Sequence, residues 1–228
     1  MAKEKNEVVH VNNALERAVS NAFDVQQLVK IGTVAFRNKV NTQLDVTRKD
    51  FKKAAEELKA AEDALSAELK AYSKAVESSK DAKNLVRSLK FLGDCTVTCT
   101  AGVTYRDVDT ASLSVGINVV PSKPSTDKKL DLRGNLQLSE TIPLPAKIKA
   151  TVDYEQKCKD NHERLANEIA DLSREKTQGV VEFTESLEAG LYKKYLTTVP
   201  DGAEVVEVIG NLVDGYVKSS STLTKLLR

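Results

Sequence analysis

Four side chains have the types and the spacing to suggest metal chemistry. Cys95 and Cys99 are separated by three positions, and so are Cys158 and His162. Three thiolates and one imidazole form a chemically reasonable zinc set. The spacing argues against a shared ion. In an extended strand Cys95 and Cys99 stand about 13 Å apart, whereas thiolates on one tetrahedral zinc lie within about 4 Å of each other. Cys158 and His162 are one helical turn apart, at positions where a buried thiol and a hydrogen-bonded imidazole are common core occupants. Three cysteines are an odd number in a chain of 228 residues, long enough to fold without staples, and they read as free thiols. No metal and no cofactor is expected.

Nucleophilic catalysis needs a base beside a Ser, Thr or Cys. The only histidines are His10, in a charged N-terminal stretch, and His162, in an apolar repeat. Neither sits in a catalytic motif. Glycines such as Gly210 and Gly215 are scattered through helical patterns, and no Gly-x-Gly-x-x-Gly or Gly-x-x-x-x-Gly-Lys-Ser/Thr run cradles a phosphate. The carboxylate pairs Glu56/Glu57 and Glu204/Glu207 fall on solvent faces of helices, without the cleft that acid–base work requires. The chain is expected not to be an enzyme.

Charge narrows the choice of partner. With 34 Lys+Arg against 33 Asp+Glu, the chain has no surplus to track a phosphate backbone or an acidic membrane. Its best basic patch, Arg48-Lys49 with Lys52-Lys53, is interrupted by Asp45, Asp50, Glu56 and Glu57. Residues 40–92 hold 11 basic and 9 acidic side chains, the balance of a salt-laced helix face rather than a nucleic-acid interface. Direct nucleic-acid binding is not expected. Neither a signal-peptide core nor an apolar stretch of membrane-spanning length is present, so a soluble protein made and kept in the cytoplasm, or assembled there into a virion, is expected.

Long helices dominate the pattern. From Asn13, Leu15, Ala18, Val19, Ala22, Val25, Leu28 and Val29 recur at three- and four-residue steps, with Gly32 and Thr33 expected to bend or end that helix. Next, Leu44, Phe51, Leu58, Leu65 and Tyr72 stand seven apart, accompanied by Val40, Ala54, Ala55, Ala61, Leu69 and Val76. This is a heptad seam. Asp45 with Lys49, and Lys52 with Glu56, support its exposed face. The helix reads unbroken to Leu92, with Gly93 as its left-handed cap, and would be about 80 Å long. A second seam follows from Thr151 or Asp153: Cys158, Leu165 and Leu172 with His162 and Ile169, continuing through Val180, Phe183, Leu187 and Leu191. Leu44, Phe51, Leu58, Leu65, Tyr72, Leu165, Ile169 and Leu172 are the candidate interface residues, whether within one chain or between chains.

Between the seams the period drops to two. Cys95, Val97 and Cys99 alternate with threonines, and Ala111, Leu113, Val115, Ile117 and Val119 alternate with polar residues, as half-buried strands do. Pro121–Lys129 is a loop by composition, Arg133-Gly-Asn135 suggests a tight turn, and Pro143 and Pro145 mark an edge or linker. Asp201-Gly-Ala-Glu204 resembles a capping box opening a last helix, before a polar tail from Ser219 that is expected to fray.

The expected class is α+β, mainly α: long antiparallel, bundle-like helices with a small antiparallel β-sheet inserted between them. Its parts are an arm (1–11), a helical part (12–92), an inserted β subdomain (93–150) and a helical part packing on the first (151–228). The order helix, strands, helix over residues 40–192 resembles that of prefoldin-type chaperones. That resemblance implies helix tips exposing apolar residues to client proteins. The leading expectation is instead a structural assembly protein that pairs with itself and with other proteins, such as a ring, connector or accessory component of a virus or phage particle.

Overall fold

The computed structural model describes residues 25–89, 95–107, 110–121, 136–196 and 205–227. The expected helix over Leu15–Ala22, the Gly93 cap, the Pro121–Lys129 loop beyond Pro121, the Arg133–Asn135 turn and the Asp201–Glu204 capping box lie outside them. The elements in chain order are α1 (Val25–Glu77), α2 (Lys80–Ser88), β1 (Cys95–Asp107), β2 (Thr110–Pro121), β3 (Leu136–Pro143), α3 (Ala146–Arg174), a π turn (Glu175–Gly179), α4 (Val180–Glu188), α5 (Tyr192–Tyr195), α6 (Val205–Ser219) and α7 (Ser221–Leu226). The fold is α+β and mainly α, with a three-stranded antiparallel sheet between long helices. The chain forms two compact units, Met1–Lys53 with His162–Arg228 (unit 1) and Ala54–Asn161 (unit 2).

In unit 1, Leu28, Phe36, Val40 and Leu44 of α1 share a buried core with Leu172 of α3, Phe183 and Leu187 of α4, and Leu212 and Val213 of α6. Phe36, Phe183, Tyr195 and Tyr216 form an aromatic cluster with ring centroids 4.6–5.3 Å apart. Gly32 does not end its helix. It sits inside α1, where an added Cβ would come 3.2 Å from Leu187 and 3.4 Å from Leu212, so its missing side chain is what admits the neighbouring helices. The adjacent Thr33 hydroxyl meets that of Thr184 at 2.9 Å. Gly215 is tighter: a Cβ there would collide with the Tyr195 carbonyl.

The apolar stripe of α3 and α4 contains one irregularity with a visible cause. Leu165 and Leu172 are seven apart, but the next buried apolar side chain is Val180, eight further on, with Gly179 buried just before it. The π turn at Glu175–Gly179 absorbs the extra residue and restores the phase, so Val180, Phe183 and Leu187 face the same core. Gly190, at φ +78°, then closes α4, with Leu191 N–H donating to the Ser186 carbonyl and Gly190 N–H to that of Leu187. The tail does not fray. Ser220 caps α7, its hydroxyl accepting from Leu223 N–H, and Leu223, Leu226 and Leu227 are buried in the core.

In unit 2, β1, β2 and β3 pair in sequence order, Thr100 opposite Gly116 and Gly116 opposite Ser139. The inward side chains Cys99, Leu113 and Val115 pack with Ile148 and Val152 of α3 and with Leu65, Leu69, Tyr72 and Val76 of α1. α1 stops at Glu77, not Leu92. Ser78 turns its hydroxyl back onto the Lys74 carbonyl, and Ser79 caps a separate helix, α2, by accepting from Ala82 N–H at 3.1 Å. Such a cap is worth about 1 kcal/mol, so a fresh helix start competes well with continuing the old one. α3 begins earlier than its charged first turn suggests: the Pro145 carbonyl accepts from Lys149 N–H, and Ile148 and Val152 extend the stripe.

Candidate functional sites

The seam residues find partners within the chain. In unit 1, Leu44 (2% exposed) and Leu172 (0%) lie in one core with Ile169 packed against it, and Leu165 is buried. Phe51 stacks on His162 at 4.3 Å, while Thr47 Oγ1 donates to Glu168 Oε1 at 3.3 Å, so residue numbers rise along α1 as they fall along α3 and the pair is antiparallel. In unit 2, Leu65 and Tyr72 pack against the sheet core and Leu58 is half-buried. Small residues of the seam are buried as deeply as the large ones: Ala54 (3%) and Ala61 (1%), which the heptad reading named as accompaniments, and Thr47 (2%), which it did not name.

One charged residue also occupies the seam. Glu155 is 4% exposed. Its Oε1 accepts from Lys159 Nζ at 2.5 Å, and its Oε2 has no hydrogen-bond partner. That bond holds the Lys159 ammonium above its ordinary range, against the opposing effect of burial. Glu155 lines a cleft of about 600 Å³ in unit 2 with Leu65, Leu69, Ser73, Glu77 and Cys99. Glu77 Oε1 accepts from Cys99 N–H at 2.7 Å. Burial pushes the Cys99 thiol up, a hydrogen bond with Ser73 pulls it down, and the Glu77 charge adds to the rise. A thiol held in its neutral form is a poor nucleophile and a poor metal ligand. Cys95, Cys99 and Cys158 form no disulfide, and among the described residues no three His, Cys, Asp or Glu side chains gather as a metal site. No helix among them is long and apolar enough to cross a membrane.

Unit 1 carries a different feature. A groove of about 460 Å³ runs between α1 and α6, and four of its lining side chains are exposed aliphatics: Ile31 (41%), Val34 (53%), Val205 (43%) and Val206 (77%). Its polar rim includes Lys39, whose ammonium donates to Asp214 Oδ1 at 2.6 Å.

The outward face of the unit 2 sheet is the feature that residue-by-residue reading missed. On β1 it presents Thr96, Thr98, Thr100 and Thr104, all exposed. Opposite them on β2 stand Val120, Asn118, Gly116 and Ser112, with Ser114 facing Gly102. β3 adds Gln137, Ser139 and Thr141. None of these is charged, in a chain whose residues are 29% charged. Every fourth residue of β1 reaches across the sheet: Thr96 Oγ1 donates to the Val120 carbonyl at 3.2 Å, Thr100 Oγ1 to that of Gly116 at 3.4 Å, and Thr104 Oγ1 to that of Ser112 at 3.4 Å. An added Cβ at Gly116 would lie 2.8 Å from Thr100 Oγ1, so the glycine makes room for that crossing. No family model, curated protein or solved structure matches the chain.

Proposed function

We propose that the protein is a non-enzymatic assembly subunit that associates with copies of itself and with other proteins of a larger particle, in a ring, connector or accessory role. The carrying observation is the exposed aliphatic groove of unit 1, where Ile31, Val34, Val205 and Val206 stand in solvent. Apolar surface gathered in one groove is the usual mark of a protein contact. Most of the seam residues, which could pair within one chain or between chains, pack inside their own unit, which favours an assembly surface elsewhere. Light scattering on the eluting protein over a wide concentration range tests this reading. Defined oligomers are expected, and Val206→Asp, at a position 77% exposed, should lower the mass without lowering the melting temperature. A monomer at every concentration, with or without candidate partner proteins, overturns it. The same groove also suits a prefoldin-like chaperone or adaptor. That reading predicts suppression of aggregation of an unrelated unfolding protein, abolished by Val206→Asp.

A further inference from the structure

We propose that the unit 2 cleft lined by α1, β1 and Glu155 binds an elongated aliphatic zwitterion, its ammonium end seated against Glu155 and Glu62 and its carboxylate end against Lys70 and Lys74. The inference goes beyond the assembly reading and does not depend on it.

Three observations carry it. The first is Glu155, which lines the cleft at 4% exposed and whose Oε2 has no hydrogen-bond partner. A buried carboxylate oxygen without a donor costs stability unless something else supplies one. The second is the charge at each end. On the cleft side of α1, Glu62, Ser66, Lys70 and Lys74 form one exposed row, and Leu65, Leu69, Ser73 and Glu77 a half-buried one. At one end the Lys159 ammonium interacts with both Glu155 and Glu62, so two carboxylates meet one ammonium and the sum is a single negative charge. At the other end Lys70 and Lys74 stand with Glu77, whose Oε1 already accepts from Cys99 N–H, and the sum is a single positive charge. A ligand with one ammonium and one carboxylate brings both ends to neutrality, whereas a simple cation or anion leaves one end uncompensated. The third is the space between. Leu65, Leu69 and Ala101 give the cleft an apolar floor, and its volume of about 600 Å³ is that of a small-molecule site. Along α1, Glu62 stands about 12 Å from Lys70 and about 18 Å from Lys74. An extended chain of about 10 Å with a hydrogen bond of about 2.8 Å at each end spans that interval. A free ω-amino acid and a short peptide with both termini free share this chemistry.

The test is isothermal titration calorimetry on the full chain with 8-aminooctanoate, octylamine, octanoate and trialanine, whose termini are as many bonds apart as the ends of 8-aminooctanoate. The wild type should bind 8-aminooctanoate or trialanine one to one, at least about tenfold more tightly than octylamine or octanoate. Binding of trialanine alone identifies the ligand as a short peptide, and binding of 8-aminooctanoate alone as a free ω-amino acid. Either result, or binding of both, supports the site. Glu155→Gln keeps the shape of the side chain and should weaken zwitterion binding at least about tenfold, to the level of octanoate. The double variant Lys70→Gln with Lys74→Gln should bring it to the level of octylamine. Should Glu155→Gln fail to fold by circular dichroism, Glu62→Gln on the exposed row takes its place, with the same expectation. Val206→Asp, in unit 1, should bind as the wild type does. The proposal is overturned by no binding of either zwitterion at about 10 mM, or by octylamine or octanoate binding as tightly as the zwitterions. Wild-type affinity in the Glu→Gln variant, or loss of binding in Val206→Asp, overturns it equally.

Discussion

The two units draw on the same long helices but close their interiors with different chemistry. Unit 1 is dry: Leu28, Phe36, Phe183, Leu187 and Leu212 are all at 0% exposure, and aromatic rings interlock at its centre. Unit 2 has one three-stranded sheet to cover, and it does so with a shorter apolar set, a buried thiol and a half-satisfied carboxylate. Helices packing on helices can bury whole side chains on several sides. A single sheet buries one face and must leave the other to water or to a partner. The difference teaches where each unit can be altered without loss.

The sharpest way to break the contrast is at the dry core. Phe183→Ala should cost about 3–5 kcal/mol, read as a lower denaturation midpoint by circular dichroism, since the chain has no Trp. A loss below about 1 kcal/mol would show that the aromatic cluster is loosely packed. In unit 2 the sign should reverse. Glu155→Met removes a buried carboxylate whose Oε2 has no partner and fills the same volume, so stability should rise by about 1 kcal/mol or hold level. A clear loss would show that the carboxylate makes an interaction needed for folding. The smallest effect is confined to high pH. Burial, with smaller contributions from Glu182, Tyr195 and Glu175, pushes the Tyr216 phenol up to about 12. The unfolded chain therefore ionises first, and stability present below pH ~10 is lost as pH rises toward 12. Tyr216→Phe should flatten that alkaline decline. An identical decline in wild type and variant would assign it to other groups.

Much of this was legible in the residues. Seven-residue spacing located both seams, because burial of one helical stripe imposes that period whatever the partner. The alternation Ala111, Leu113, Val115, Ile117, Val119 gave β2 and its buried face. Depth within the seam was not legible. Large side chains mark a stripe, but Thr47 is buried as deeply as Leu44 while Leu58 of the same stripe is only half-buried, because depth depends on what packs against each position. Glu155 was hidden for the opposite reason, a charged letter at an apolar position. Local signals were present at the two misread ends: Ser79 and Ser220 are both capping residues placed before new turns of helix. The eight-residue gap from Leu172 to Val180 likewise announced the π turn. The crossing hydroxyl bonds of the threonine face needed the strand register, which depends on pairing across many residues.

The bond from Cys99 N–H to Glu77 carries a further consequence. β1 is an outer strand, and an outer strand with free N–H groups is a template on which another chain can extend the sheet. The carboxylate that ends α1 occupies that template at its Cys99 rung. On β3, among the described residues, no strand pairs along the other side. A sheet receptive at both margins behaves as a bifunctional monomer and can polymerise without limit. With one margin stoppered it behaves as a monofunctional one, so addition along the ladder terminates after a single step.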